Sequence, residues 1–134
     1  MRGRNILITM SHTPNILIVD DNRLTCWGLE RVFSSGDYLV TVVNNGKDAI
    51  SEISDRHFSS VFLDINLPDI SGLEVLHEIK RVSPQTKVVV MTADNSNDNK
   101  QKALEEGAFY FIGKPFSIPE IKEVISSICS PEAV

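Results

Sequence analysis

Apolar residues in this chain come in short unbroken runs, not in alternation with polar ones: ILIV at 16–19, LVTVV at 39–43, VFL at 61–63, VVVM at 88–91 and FYFI at 109–112. Runs that are β-branched and apolar at successive positions predict strands covered on both faces, as in a parallel sheet. Between the runs the period lengthens to that of a helix. Residues 71–82 carry Leu73, Leu76, Ile79 and Val82 on one side, and residues 117–128 carry Ile121, Val124, Ile125 and Ile128. Residues 22–34 place Leu24, Thr25, Gly28, Leu29, Val32 and Phe33 on a shared face, with Trp27 nearly opposite. SGLE at 71–74 and SIPE at 117–120 match the Ser-x-x-Glu capping box, and Pro119 sits just inside its helix, where a missing N–H costs nothing. The stretch DNSNDNK at 94–100 is dominated by poor helix formers and predicts a mobile loop with a late start to the fourth helix.

Five strands alternating with five helices, joined by right-handed crossovers, give a doubly wound (βα)5 sandwich of the α/β class. Its five-stranded parallel sheet is expected in the order 2-1-3-4-5, with a site outside the carboxyl ends of the strands. At 134 residues, 42% of them hydrophobic, the chain has enough apolar material for one domain. We expect a poorly ordered extension over 1–13, the domain over 14–130 and a short tail over 131–134.

A net charge of −5 without any basic cluster argues against a nucleic-acid surface. Cys26 and Cys129 are far apart and fit no metal spacing, which suits free thiols in a reduced, cytoplasmic setting. The opening MRGRNILITM has two arginines before an apolar run, but at about six residues that run is too short for a secretory signal. NILIT at 5–9 echoes NILIV at 15–19, as a short duplication or a start upstream of Met10; only the second copy runs into Asp20-Asp21 and is taken as the first strand. No apolar segment is long enough to span a membrane.

The expected topology brings Asp20 and Asp21 after the first strand to the same rim as Asp64 after the third, Thr92 after the fourth and Lys114 after the fifth. Two adjacent carboxylates at the end of a buried run call for a cation or a function. A single Asp in such a place is usually a turn former or a helix cap; three carboxylates with a hydroxyl and an ammonium are poorly explained that way. Carboxylate oxygens with a backbone carbonyl suit Mg²⁺ (or Mn²⁺), a hard ion that leaves positions for phosphate oxygens. Lys114 can balance a phosphoryl charge, Thr92 can donate to it, and a carboxylate such as Asp64 is a competent nucleophile toward phosphorus.

With ILIVDDN at 16–22, VFLDINLPDISGLEVL at 61–76, VVVMTA at 88–93 and GAFYFIGKPF at 107–116, the chain resembles the receiver domain of two-component response regulators, a flavodoxin-like fold shared with chemotaxis regulators. The resemblance covers about residues 14–129. It implies that Asp64 accepts a phosphoryl group from a phosphohistidine of a sensor histidine kinase or a histidine phosphotransfer protein. It further implies that Asp21 binds Mg²⁺ directly, Asp20 acts largely through water, the backbone carbonyl of Asn66 completes the metal shell, and Lys114 contacts the phosphoryl group. Pro115 is expected after a cis peptide bond. Thr92 and Phe111 match the switch pair that reshapes the surface of the fourth helix, fifth strand and fifth helix, while Ala93, Asp94 and Asn66 match positions that contact the phosphoryl group or tune its loss. Such a domain assists its own phosphorylation and dephosphorylation, with no independent turnover, no nucleic-acid contact of its own, and an output partner or domain that the sequence leaves open.

Ser71 stands where an aspartate often precedes the glycine, and it caps a helix equally well. Tyr110 replaces an acidic residue used in dimer salt bridges by many DNA-binding regulators, which leaves at most a weak homodimer. A haloacid-dehalogenase phosphohydrolase would want a second Asp where Asn66 stands; a flavin or nucleotide binder would want a Gly-, Ser- or Thr-rich loop where DDNRLT presents two negative charges. A degenerate receiver, acting through contacts without phosphate, is the remaining alternative. Trp27 is either an exposed anchor for a partner or folded onto its neighbours. His12, His57 and His77 fall away from the rim and read as surface residues.

Overall fold

The computed structural model describes residues 13–94 and 96–129; His12, the NILIT segment and the tail at 131–134 lie outside the described residues. Strands and helices alternate: β1 (Asn15–Val19), α1 (Arg23–Ser34), β2 (Leu39–Val43), α2 (Gly46–Asp55), β3 (Ser60–Asp64), α3 (Gly72–Val82), β4 (Lys87–Thr92), α4 (Asn97–Glu105), β5 (Tyr110–Gly113) and α5 (Ile118–Cys129). The sheet is parallel throughout, in the order β2-β1-β3-β4-β5 expected from the sequence.

The unbroken apolar runs have a direct physical cause. Alternate residues of each strand point to opposite faces, and both faces are covered. Leu17 and Val19 of β1, with Val61 and Leu63 of β3, enter a layer formed with Ala49, Ile53, Val75, Leu76, Ile79 and Ala103 of α2, α3 and α4. Ile16, Ile18 and Phe62 enter the other layer, against Leu29, Phe33, Ile121 and Val124 of α1 and α5. Fully burying each such side chain contributes roughly 1.5–3 kcal/mol, so the interior strands are held from two sides at once.

Three expectations need correction. In α1 the buried face is Cys26, Leu29, Val32 and Phe33, whereas Leu24 is 78% exposed. At 100° per residue Leu24 lies about 150° from the centre of that stripe, so it points to solvent while Cys26 in the same turn is buried. In α3 the buried side chains are Val75, Leu76 and Ile79, whereas Val82, the last residue of the helix on the same side as Val75, is 40% exposed. The segment 94–100 is helical from Asn97 because Ser96 caps it, accepting the Asn99 N–H at 3.2 Å. Poor helix formers are tolerated there because Ser at the cap and Asp98 in the first turn favour a helix N-terminus. The other N-termini are capped as well: Asn22 accepts from Thr25, Asn45 from Asp48, Ser71 from Leu73 and Ser117 from Glu120.

Candidate functional site

The chain leaves β1 toward β2 on one side and returns to β3 on the other, so the loops after β1 and β3 part at the carboxyl edge and leave a crevice between them. Asp20, Asp21 and Asp64 line it. One oxygen of each lies within 4.8 Å of one of every other, with Asp20 and Asp64 buried and Asp21 exposed. Neither residue of the Asp20-Asp21 pair is consumed as a helix cap, because Asn22 takes that duty for α1.

Asp20 is fully buried and held from several directions. Its backbone carbonyl accepts from the Asn44 amide at 3.0 Å and from the Cys26 thiol at 3.3 Å, while Oδ1 accepts the Asn22 N–H at 2.9 Å. Its Oδ2 accepts from Lys114 Nζ at 2.7 Å, and the same ammonium donates to Asp64 Oδ2 at 2.9 Å. Lys114 reaches this place from the end of β5, where its N–H donates to the Thr92 carbonyl at 2.8 Å and the Lys114–Pro115 peptide is cis. Burial pushes the Asp20 carboxyl above the usual carboxylate range, against the opposing pull of Lys114 and the Asn22 N–H. For Lys114, burial acts to release the proton, but the hydrogen bonds to Asp20 and Asp64 together outweigh it and hold the ammonium above its ordinary value.

Asp64 Oδ1 accepts the Asn66 N–H at 3.0 Å, which turns the loop after β3 back over the carboxylate. Gly72 permits that turn. A Cβ there would stand 2.2 Å from the Asp64 carbonyl oxygen, and the Gly72 N–H donates to the Ile65 carbonyl at 2.7 Å, so both ends of the loop meet beneath Asp64. The buried Thr92 hydroxyl accepts from the Asn66 side-chain amide at 3.3 Å and from the Asp94 N–H at 3.1 Å, leaving its own proton free to donate elsewhere. Ala93 and Asp94 are exposed at the rim beyond it, and Phe111 is half-buried against the α2–α4 layer. Trp27, 59% exposed with the Arg31 guanidinium 5.0 Å from its ring, borders a hollow shared with Asp21, Arg23 and Asn44. His57 and His77 are exposed and away from the crevice.

The structure therefore gathers Asp20, Asp21, Asp64 and Lys114, and joins Thr92 to them through Asn66. Two contacts had no signal in the sequence: the Asn66 side chain on Thr92, and Asp69, whose carboxylate accepts from the N–H groups of Gly46 and Lys47 at 2.8 and 2.9 Å. Oxygen donors alone, with two carboxylates already shaped by N–H bonds, fit a hard divalent cation.

Residues 16–126 match the family model described as "Response regulator receiver domain". The chain is 36% identical over 107 residues to the uncharacterized transcriptional regulatory protein YkoG of Bacillus subtilis (strain 168), covering 80% of this chain and 47% of that protein. It is 33% identical over 112 residues to the transcriptional regulatory protein ZraR of Klebsiella oxytoca, covering 84% of this chain and 25% of that one. It thus spans about a quarter to a half of the length of these curated relatives. A CheY-like receiver domain protein from Methanospirillum hungatei JF-1 superimposes with a TM-score of 0.84 at 26% identity, over 90% of this chain and 96% of that one. With the fold, the acidic crevice and the family match in agreement, the chain belongs to the receiver domains of two-component response regulators, whose general work is to accept a phosphoryl group on an aspartate.

Proposed function

We propose that Asp64 is the phosphoacceptor of this receiver and that its donor is a phosphohistidine on a sensor kinase or phosphotransfer protein. The observation that carries this is Lys114 Nζ, bonded to both Asp20 and Asp64 at 2.7 and 2.9 Å in the crevice that Asp21 also lines. In the transfer the P–N bond of the donor breaks as a bond forms between phosphorus and an Asp64 carboxylate oxygen, and the departing imidazole nitrogen takes up a proton. Asn66 N–H orients the Asp64 carboxylate, and Lys114 neutralises the charge that spreads over the phosphoryl oxygens. Asp20, Asp21, Asp64 and the backbone carbonyl of Asn66 would hold Mg²⁺ or Mn²⁺. Such an ion, when bound, supplies further neutralisation of the phosphoryl charge.

Thr92 and Phe111 form the switch pair. The Thr92 proton is free to donate to a phosphoryl oxygen, and Phe111 follows into the space released, shifting the population of the α4–β5–α5 surface. Ala93, Asp94 and Asn66 border the phosphoryl group and set how quickly water removes it. The chain turns over no separate substrate and works in the cytoplasm, passing its state to an output partner or domain. The family assignment rests on the match over 16–126, and the domain extent proposed is 14–130.

The test is intact mass after incubation with acetyl phosphate, with and without Mg²⁺, on the wild type and Asp64→Asn. A gain of one phosphoryl mass that needs both Mg²⁺ and Asp64 is expected. No gain in folded wild type, from acetyl phosphate or from a phosphohistidine donor, overturns the assignment and leaves a receiver that works without phosphate.

A further inference from the structure

The loop between β3 and α3 is closed at its neck and tied outward on two sides. At the neck, Gly72 lies against the Asp64 carbonyl and bonds Ile65. On one side the Asn66 amide reaches Thr92. On the other, the Asp69 carboxylate grips two successive N–H groups, Gly46 through Oδ1 at 2.8 Å and Lys47 through Oδ2 at 2.9 Å, at the first turn of α2. The grip is close-fitting: a Cβ on Gly46 would stand 2.4 Å from Cγ1 of Ile70, the next residue of the loop. These N–H bonds hold the exposed Asp69 carboxyl below the usual range.

We infer that Asp69 is a positioning residue for the phosphoacceptor site, acting through the loop that carries Asn66; the inference rests on the function proposed above. A role confined to starting α2 is disfavoured by two features. The helix has its own cap, in which Asn45 accepts from Asp48 N–H at 2.8 Å and donates back to the Asp48 carboxylate at 3.0 Å. Of the two N–H groups that Asp69 holds, that of Lys47 lies at the surface, where water replaces a lost acceptor at little cost, and only that of the buried Gly46 depends on the carboxylate. What water does not replace is the restraint on the loop. Without Asp69 the loop keeps its neck and its contact with Thr92, and residues between them swing away from α2. The Asn66 carbonyl, to which the proposed function gives a place on the metal, joins the freed residues to the anchored ones and loses the restraint set by α2.

The experiment titrates Mg²⁺ alone into wild type, Asp69→Ala, Asp69→Asn and Asn45→Ala by calorimetry, with amide hydrogen exchange across 65–71 in chelator as a second readout. Asn45→Ala weakens the start of α2 without touching the loop. Asp69→Ala is expected to weaken Mg²⁺ binding about tenfold, the low end of losses on removing outer partners of a metal site. It is also expected to speed exchange at Asn66. Asp69→Asn, which keeps one acceptor, falls between, and Asn45→Ala leaves both readouts unchanged. Unchanged affinity and exchange in both Asp69 variants, or equal changes in Asn45→Ala, overturn the inference. Wild type that neither binds Mg²⁺ nor gains a phosphoryl group from either donor overturns the proposed function itself, a result distinct from either.

Discussion

Replacing Gly72 by Ala sets two known effects against each other, and the structure decides the sign. Gly72 opens α3 with no positive φ, so alanine can adopt its backbone conformation, and helical preference alone returns at most about 1 kcal/mol. The added Cβ, however, falls 2.2 Å from the Asp64 carbonyl oxygen and 2.5 Å from Ile65 Cα, both well inside ordinary contact. Both obstacles are backbone and neither can rotate aside. Separating them pulls on the 2.7 Å bond from Gly72 N–H to Ile65 and on the end of β3. Overpacking of this kind costs about 1–3 kcal/mol, and more when backbone must move, so a net loss of about 2 kcal/mol is expected. Urea unfolding followed by far-ultraviolet circular dichroism measures it. Gly28→Ala is the matched control: it lies inside α1 with no atom within 4 Å of its Cβ position, and a gain of about 0.5–1 kcal/mol is expected. A Gly72→Ala protein as stable as wild type, or gaining alongside Gly28→Ala, would refute the steric argument.

Three further outcomes are expected. Because burial raises the Asp20 pKa in the folded state, the native protein binds more protons than the unfolded chain just above the ordinary carboxylate range; this group's contribution therefore falls as pH rises through that window. Asp20→Asn in chelator is then expected to be more stable than wild type at pH 7 and to lose the advantage on acidification; equal denaturation midpoints at neutral pH would contradict this. The Cys26 thiol, buried and pushed up to about 11 mainly by desolvation, should resist maleimide at neutral pH in a Cys129→Ser background, and labelling of native protein as fast as in urea would contradict it. The Ser60 hydroxyl is fully buried without a hydrogen-bond partner, so Ser60→Ala should be neutral or stabilising by up to about 1 kcal/mol, and a clear loss in a thermal melt would point to a hidden partner.

The architecture was legible in the sequence because a strand buried on both faces has no polar positions, and five such runs at regular spacing admit few topologies. The rim of Asp20, Asp21, Asp64, Thr92 and Lys114 was legible for the same reason: once strand order is known, residues after strand ends share an edge. Helix faces were less so. The sequence places Leu24 and Val82 on apolar stripes, but in α1 several apolar residues admit more than one stripe and the buried one runs through Cys26, Leu29, Val32 and Phe33, while Val82 is the last residue of α3, and periodicity does not say how far along a helix burial extends. Asn and Asp at 94–100 suggest a loop by average propensity, although the first turn of a helix is where such residues are welcome. The Asp69 grip joins residues 22 and 23 positions apart through backbone N–H groups that every residue but proline carries, so no side-chain pattern announces it.

Trp27, the only tryptophan, lies on the outside of α1 with Arg31 over its ring, beside Asp21. At 59% exposure its native emission is expected to resemble that of a solvent-bathed indole, so loss of the two apolar layers should change it little, and a fluorescence melt should understate unfolding that circular dichroism records in full. The same placement makes the indole a local optical probe of the crevice mouth, sensitive to charge arriving at Asp21 while the interior stays intact.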